Sequence, residues 1–175
     1  VRTTGRELAA RGDVDGVLGV LARIGERLLD SKSGVAVLFP GTIDDRLRMA
    51  AHGLETPVAD GSLSDLALFR MLRVTRKEIA RSSVFVEPQF ENVRDELLGE
   101  FDRLGAEIVL PMLDERERVA GALALGPRAA EEPYEAFELD VLGALIQQAY
   151  ESIERAQALA RLQERERDFS DLKRF

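Results

Sequence analysis

The C-terminal third of the chain carries an apolar repeat that constrains the fold more than any other feature. From about residue 134 to beyond residue 162, apolar side chains recur in alternating steps of three and four residues, as in the seam of a coiled coil: Leu139, Leu142, Ile146, Ala149, Ile153, Ala156 and Ala160. At about 1.5 Å per residue, a helix of this length reaches about 40 Å, which is longer than a small domain is wide. The last part of this helix is therefore predicted to leave the domain.

Two apolar segments precede this helix and predict central strands. The segments AEIVLPML and VAGALALG flank the charged turn DERER. Strands that are apolar along their whole length are typical of a sheet covered on both faces. Gly126-Pro127 ends the second strand, and Pro133 stands where a helix can begin, because the missing N–H of proline costs nothing in the first turn.

The first hundred residues alternate helical and strand-like patterns. Apolar spacing predicts one helix over 14–29 and another over 88–104, closed by Gly105. Between them, VAVLFP and RLRMAAHG predict an antiparallel hairpin with one wet face. Residues 62–72 predict a helix with Ser62 or Ser64 as N-cap, and residues 77–81 predict a short strand. This order of elements predicts an α+β fold around one sheet.

Composition excludes several classes of function. The 175 residues carry a formal net charge of −8 with both signs interspersed, which argues against nucleic acid or an anionic membrane as the main partner. The chain has no cysteine, which excludes iron–sulfur clusters, cysteine nucleophiles and covalent bilin attachment through a thioether. No apolar run approaches the roughly 20 residues of a membrane span. A cytoplasmic location is expected, and the start at Val1 without a methionine indicates a piece of a longer protein.

The sequence around the two apolar strands resembles the GAF domain family. Members commonly have an apolar strand ending in Pro-Leu, a turn, a glycine-rich strand ending in Leu-Gly, and then a tyrosine, an acidic residue and a leucine pair that open the C-terminal helix. Here those places hold Pro111-Met112, Gly121 to Gly126, Tyr134, Asp140 and Val141-Leu142. The resemblance covers about 105–162. It implies an α/β sandwich-like fold with a GAF/PAS-like central antiparallel sheet, flanking helices and a long C-terminal signalling helix.

The resemblance also implies a domain organisation and a role. Residues 1–30 would form the N-terminal helix of a dimer bundle, 31–150 the GAF core, and 151–175 a coiled-coil linker toward a downstream signalling domain in the same chain. The tail RLQERERDFSDLKRF resembles the connectors that lead into PAS domains in bacterial sensor histidine kinases. We therefore expect a regulatory sensor domain of a two-component protein. The alternative is a ligandless structural module that dimerises and fixes the spacing of its neighbours.

Motifs that would indicate an enzyme are incomplete. His52 is the only histidine, and no histidine, cysteine or acidic cluster near it in the sequence has the spacing of a metal site. Gly121 and Gly126 have Walker spacing but lack the following lysine and hydroxyl residue, and residues 92–96 lack the lysine and phenylalanine of the cyclic-nucleotide GAF signature. GAF-like enzymes that reduce methionine sulfoxide use cysteines. No catalytic residue, metal or covalent cofactor is expected.

A pocket for a noncovalent small molecule is the expected sensory site. The resemblance implies a pocket between the hairpin and the central strands, and pockets combine apolar walls with a few polar groups. Seven side chains are candidates to line it: His52, Phe69, Leu72, Glu78, Arg81, Phe85 and Phe90. The simpler interpretation is that the aromatic side chains are ordinary core, and the sequence leaves both interpretations open.

The heptad pattern predicts a homodimer, because an exposed apolar seam costs solubility unless another helix covers it. A two-fold bundle of the N- and C-terminal helices is the expected cover. The predicted interface residues are Val17, Leu21, Ile24, Leu28, Leu142, Ile146, Ala149, Ile153, Ala156, Leu159 and Leu162.

Overall fold

A five-stranded sheet forms the middle of the computed structural model, which describes residues 13–42, 45–58, 63 and 65–174. The strands are β1 (Gly34–Leu38), β2 (Arg48–His52), β3 (Ile79–Ala80), β4 (Ile108–Leu113) and β5 (Val119–Leu125). Their order is β2-β1-β5-β4-β3, and each neighbouring pair is antiparallel. The predicted antiparallel sheet is confirmed, with β5 at its centre and β4 beside it.

Helices cover both faces of the sheet. Within the described residues they are α1 (Val14–Leu29), α2 (Ala67–Thr75), α3 (Arg81–Val86), a 3-10 helix (Pro88–Val93), α4 (Arg94–Leu104) and α5 (Ala136–Lys173). Helices α1 and α5 pack on one face, and α2, α3, α4 and the 3-10 helix pack on the other. Strand β1 shows the division, because Ala36 and Leu38 belong to the first core layer while Val35 and Val37 belong to the second.

Helix α1 has the predicted limits, and its ends explain them. The carboxylate of Asp13 accepts a hydrogen bond from the backbone N–H of Gly16, which caps the first turn. Asp30 takes a left-handed conformation that ends the helix. Between the caps, Leu18, Leu21 and Ile24 are fully buried against the sheet and α5.

Three other boundaries differ from the predictions. Helix α2 begins at Ala67 rather than at residue 62, and its N-cap position is Leu66, while Ser62 and Ser64 lie outside the described residues. The strand predicted over 77–81 is reduced to Ile79–Ala80, because Arg81 already belongs to α3. The helix predicted over 88–104 begins as the 3-10 helix and becomes α-helical at Arg94, and Gly105 ends it with a φ of 60°, as predicted.

Helix α5 begins after Pro133 rather than at it. Glu135 is the N-cap, and a capping box joins it to Glu138. The Glu135 side chain accepts the backbone N–H of Glu138, and the Glu138 side chain accepts the backbone N–H of Glu135. This reciprocal pair satisfies the backbone N–H groups of Glu135 and Glu138 at the start of the helix. The sequence contained this signal, a glutamate three residues after the cap, but the proline was the more visible one.

The second half of α5 extends away from the sheet, as predicted. The helix has 38 residues, and its last core residue is Ile153. Every residue from 158 to 174 is exposed. At about 1.5 Å per residue, the part beyond Ile153 is about 30 Å long. No helix in the described part of the chain is both long and apolar enough to cross a membrane.

Candidate functional site

Tyr134 fastens the turn between β5 and α5 to the sheet. Its hydroxyl donates a hydrogen bond to the carbonyl oxygen of Gly126 at 2.7 Å. Because a phenol has one hydrogen, the Ser31 hydroxyl, 2.5 Å away, donates the second hydrogen bond. Burial raises the pKa of Tyr134, although the hydrogen bond from Ser31 acts in the opposite direction. The neutral phenol thus joins the segment after α1, the end of β5 and the approach to α5.

Gly126 is required at this position by close packing. A Cβ atom there would lie 2.2 Å from Ser33 Oγ and 3.0 Å from the carbonyl oxygen of Gly105. Its N–H also donates to the carbonyl oxygen of Ser33 at 2.9 Å. The glycine that the sequence identified as a strand end therefore also lets two loops approach each other.

Arg128 connects the end of α1 with the first turn of α5. Its Nε donates to the carbonyl oxygen of Leu29 at 3.1 Å, and its Nη1 donates to Glu138 Oε1 at 2.9 Å and to the carbonyl oxygen of Pro133 at 3.3 Å. The same Glu138 oxygen accepts the N–H of Glu135 at 2.9 Å. Glu138 is buried, so this charge-assisted bond is shielded from water.

We call these five residues the sheet–helix junction: Ser31, Gly126, Arg128, Tyr134 and Glu138. They are brought together by the β5–α5 turn and the end of α1. Sequence reasoning identified Gly126 and Tyr134 as family-like positions but assigned no role to Arg128, Glu138 or Ser31. The signal for Glu138 was its place in the capping box.

A cleft of about 1010 Å³ lies beside the junction. It is bounded on one side by β3 and the start of α3, and on the other by residues 127–134. Its apolar lining includes Ala80, Ile108 and Leu139, which also border the core layer under α5. Glutamates dominate its polar lining: Glu78, Glu87, Glu107, Glu131 and Glu132. We call it the β3 cleft.

The structure does not bring His52 together with the other pocket candidates. Its imidazole contacts the carboxylate of Glu26 on α1. Phe69, Leu72 and Phe90 lie in the layer on the opposite face of the sheet. Alternation along β2 causes the separation. Met49 packs against the core layer that contains Phe69, whereas Ala50, and therefore His52, lies on the face that α1 covers.

The remaining pocket candidates divide between core and surface. Phe69, Leu72 and Phe90 are buried in the core, with at most 3% exposure, as the simpler interpretation expected. Phe85 is 51% exposed and lies under the guanidinium of Arg81, whose Nη2 is 3.2 Å from Asp102. Glu78 and Phe90 line the β3 cleft. The seven candidates therefore do not line one site.

Glu100 is a buried polar residue that sequence reasoning missed. Its two carboxylate oxygens accept the N–H groups of Ala67 at 3.0 Å and Leu68 at 2.8 Å, so a residue of α4 caps the first turn of α2. Burial raises the pKa of this carboxyl, while the hydrogen bond from Leu68 works against the shift. The signal was available: Glu100 lies between Leu97 and Phe101, on the apolar face of α4.

The predicted dimer residues also divide into two groups. Seven of them are buried inside the single chain, where α1 and α5 pack on the sheet and on each other: Val17, Leu21, Ile24, Leu142, Ile146, Ala149 and Ile153. Leu28 and Ala156 are partly exposed, and Leu159 and Leu162 are 53% and 57% exposed. The seven buried residues therefore offer no surface to a second copy in this conformation.

No group of three or more histidine, cysteine, aspartate or glutamate residues in the part of the chain that the structure describes is arranged to hold a metal ion. The polar and charged side chains considered as a candidate site lie at the sheet–helix junction and along the β3 cleft.

No protein-family model matches the sequence, and no curated protein does. Solved structures do match. Residues 122 to 287 of a methyl-accepting chemotaxis protein superpose with a TM-score of 0.69 and 19% identity, over 89% of this chain and 98% of that one.

Several of the matched structures are GAF domains by name. The fold of this chain is that of a GAF domain. The GAF domain of an Acinetobacter phosphoenolpyruvate-protein phosphotransferase has a TM-score of 0.63 and 12% identity, over 91% of this chain and 94% of that one. A GAF domain/HD domain protein from Geobacter sulfurreducens has a TM-score of 0.55 and 20% identity, over 83% of this chain and 95% of that one. The GAF-like architecture implied by the sequence resemblance is therefore confirmed, including the long C-terminal helix.

Proposed function

We propose that this chain is a regulatory sensor domain whose C-terminal helix relays a change in the sheet to a signalling domain farther along the same protein. The observation that carries the proposal is the continuity of α5, which packs on the sheet as far as Ile153 and then extends free for about 30 Å. The junction bonds hold its first turn to β5 and α1. A shift at this edge of the sheet would therefore tilt or rotate a rigid rod.

The similar structures support a signalling context, since they include part of a methyl-accepting chemotaxis protein. The resemblance of the tail to histidine kinase connectors supports a two-component sensor histidine kinase as the parent protein. A cytoplasmic location belongs to the same proposal. We propose a regulatory rather than a catalytic role, and it is supported by the position of the only histidine, which is paired with Glu26 on the α1 side of the sheet and does not line the β3 cleft.

The proposed domain acts as a homodimer through the outward face of α5. The exposed apolar residues of its free half are Leu159, Leu162, Phe169 and Leu172. They recur at steps of three and seven residues, which is the spacing of one coiled-coil face. Two parallel copies of this face would cover each other and carry the relay to paired downstream domains.

A second candidate function is the ligandless structural module. It is favoured by the packing of Phe69, Leu72 and Phe90, which fill the layer where a noncovalent small molecule would be expected. Such a module would dimerise and set the spacing of its neighbours without transmitting a change. The two candidates differ in whether the free half of α5 responds to the junction.

A spin-label experiment tests the relay. Because the chain has no cysteine, Gln163→Cys provides a single labelling site on the free half of α5. Distances between labels in the dimer are measured by double electron–electron resonance, with and without Arg128→Ala. Arg103→Ala, at an exposed position of α4 on the other face of the sheet, is the matched control. We expect Arg128→Ala alone to shift or broaden the distance distribution, because it releases Leu29 and Glu138.

An unchanged distribution in a folded Arg128→Ala dimer would contradict the relay and favour the structural module. A label pair with no measurable dipolar coupling, together with a monomeric mass, would contradict both candidates. A relay needs a differential interaction energy of only about 1–3 kcal/mol between the two helix arrangements.

A further inference from the structure

The carboxylates around the β3 cleft outnumber the cations that line it. Five glutamates line the cleft, whereas its lining cations are Lys77 and Arg128. Arg128 is already bonded to Glu138. Glu78, Glu107, Glu131 and Glu132 are exposed, and within the described residues none of their carboxylates forms a hydrogen bond or an ion pair. The cleft is therefore strongly anionic at neutral pH.

The cleft is also apolar and large. Ala80, Pro127 and Leu139 are partly exposed and contribute apolar surface among the charged groups. A volume of about 1010 Å³ exceeds what a metal ion or a small amine fills and suits several side chains at once. Apolar surface of this kind gains free energy when it is removed from water, but a purely ionic ligand would leave it wet.

We propose that the β3 cleft is a docking groove for a segment of a partner protein that combines lysine or arginine side chains with apolar ones. The basic groups would pair with the rim glutamates, and the apolar groups would cover the lining. Charge complementarity selects this occupant, since an acidic or neutral segment would leave four exposed carboxylates opposed or unpaired.

The position of the groove gives such a partner direct access to the junction. Pro127, Arg128, Pro133 and Tyr134 line both the groove and the turn that leads into α5. A bound segment would contact the residues that hold the first turn of the helix. Binding in the groove does not depend on whether the domain relays a signal.

Binding is tested with three synthetic ten-residue peptides labelled with fluorescein. In the first, lysine alternates with leucine; in the second, serine replaces leucine; in the third, glutamate replaces lysine. Fluorescence anisotropy is measured with the full chain at low and moderate salt. We expect saturable binding of the first peptide, at least tenfold weaker binding of the other two, and weakening with salt.

Charge-reversal variants locate the site. Glu107→Lys/Glu132→Lys should weaken the first peptide at least tenfold. Glu55→Lys/Glu115→Lys makes the same change in net charge at exposed glutamates that do not line the cleft, and should weaken it less than threefold. Amide shifts of the unmodified chain in NMR provide a second readout that does not depend on the folding of a variant; they should concentrate at 78–80, 107–108 and 131–134.

Several results would overturn the proposal. Equal binding of the serine peptide would show a general polycation site, and equal loss in the two charge-reversal variants would show attraction by net charge alone. Absence of binding, or amide shifts away from the cleft, would remove the docking groove. A change of oligomeric mass in Glu107→Lys/Glu132→Lys without peptide binding to the unmodified chain would assign the cleft to a second copy instead.

Discussion

The two halves of α5 direct their apolar side chains to opposite sides of the helix, and only one half buries them. In the packed half, Leu142, Ile146 and Ile153 point at the sheet and α1 and are at most 2% exposed. In the free half, Leu159 and Leu162 are more than half exposed. Ile153 and Leu162 are nine residues apart, which is about two and a half turns, so they lie on opposite sides of the helix.

The outward face is not confined to the free half. Val141 and Leu159 are eighteen residues apart, which is about five whole turns, so they lie on the same side. Val141 and Phe137 are 37% and 64% exposed. One helix thus carries an inward apolar stripe that its own sheet covers and an outward one that the described chain leaves open. A continuous heptad pattern can therefore combine one apolar stripe that packs inside the domain with another that stays exposed.

A core substitution in the packed half should destabilise the domain far more than a similar substitution in the free half. Ile146→Ala leaves a cavity in the core and should lower the free energy of unfolding by about 2–5 kcal/mol. Leu162→Ala, measured under conditions where the chain is monomeric, should change it by no more than about 0.5 kcal/mol. Urea denaturation of both variants checks the difference. Equal losses would mean that the free half is covered within the chain.

The next effect concerns the start of the packed half. Glu138→Ala leaves the Arg128 guanidinium and the Glu135 N–H without their shared acceptor, and should cost about 1–3 kcal/mol. Glu164→Ala on the exposed half serves as the matched control and should be nearly neutral. Thermal or urea unfolding measures both. A neutral Glu138→Ala would show that the junction does not hold the helix.

A third prediction addresses association through the outward face. Leu162→Glu/Phe169→Glu places charges on the proposed dimer surface and should raise the dimer Kd at least tenfold, about 1.4 kcal/mol, without changing monomer stability. Ala160→Glu adds a charge on the side of the helix opposite Leu162 and Phe169 and should have a small effect. Sedimentation equilibrium measures the Kd. An unchanged Kd for the double variant would place the dimer contact elsewhere.

The smallest effect lies at the boundary between the halves, where Glu154 meets acidic neighbours. Burial raises the pKa of Glu154, and the nearby carboxylates of Glu115, Asp114 and Glu151 raise it further, while a hydrogen bond from Tyr150 lowers it. Because the folded-state pKa lies above the ordinary value of 4.5, the folded state binds the proton more tightly than the unfolded state. The contribution of Glu154 to stability is thus greatest below pH 4.5 and is lost as the pH rises through the folded-state pKa.

Glu154→Gln should remove this loss. Relative to the unmodified chain, the variant should become more stable as the pH is raised from about 4 to 7. Urea denaturation at several pH values measures the trend, with Glu164→Gln on the exposed half as the control for net charge. A pH trend identical to that of the unmodified chain would contradict the crowding of carboxylates at this boundary.

Much of the fold was predictable because local patterns and tertiary packing agree. The limits of α1, the pairing of β1 with β2, and the stop at Gly105 follow from periodicity and turn residues. Helix α2 was misplaced because its first turn is capped by Glu100, a residue more than thirty positions away in sequence. The apolar face of α4 marks Glu100 as a buried position, but no local pattern shows which N–H groups it caps.

The candidate site was less predictable for the same physical reason. The pocket prediction combined His52 with Phe69, which the pleat of β2 places on opposite sides of the sheet. The β3 cleft depends on residues 78–80, 107–108 and 127–139 meeting at one edge. No periodicity in the sequence predicts that these segments lie next to one another.

The amino-acid pattern alone establishes that a long helix follows two central strands and that cysteine chemistry is excluded. It also shows a GAF-like motif around the strand-to-helix turn. These properties are local or compositional, so they need no knowledge of distant neighbours. Only the tertiary structure decided which apolar stripe of α5 the sheet covers, where Glu100 and Arg128 find their partners, and where the acidic cleft forms. Burial and hydrogen bonding between residues far apart in sequence depend on the tertiary fold. The apolar periodicity of a helix is the same whichever surface covers it, so the periodicity alone does not identify that surface.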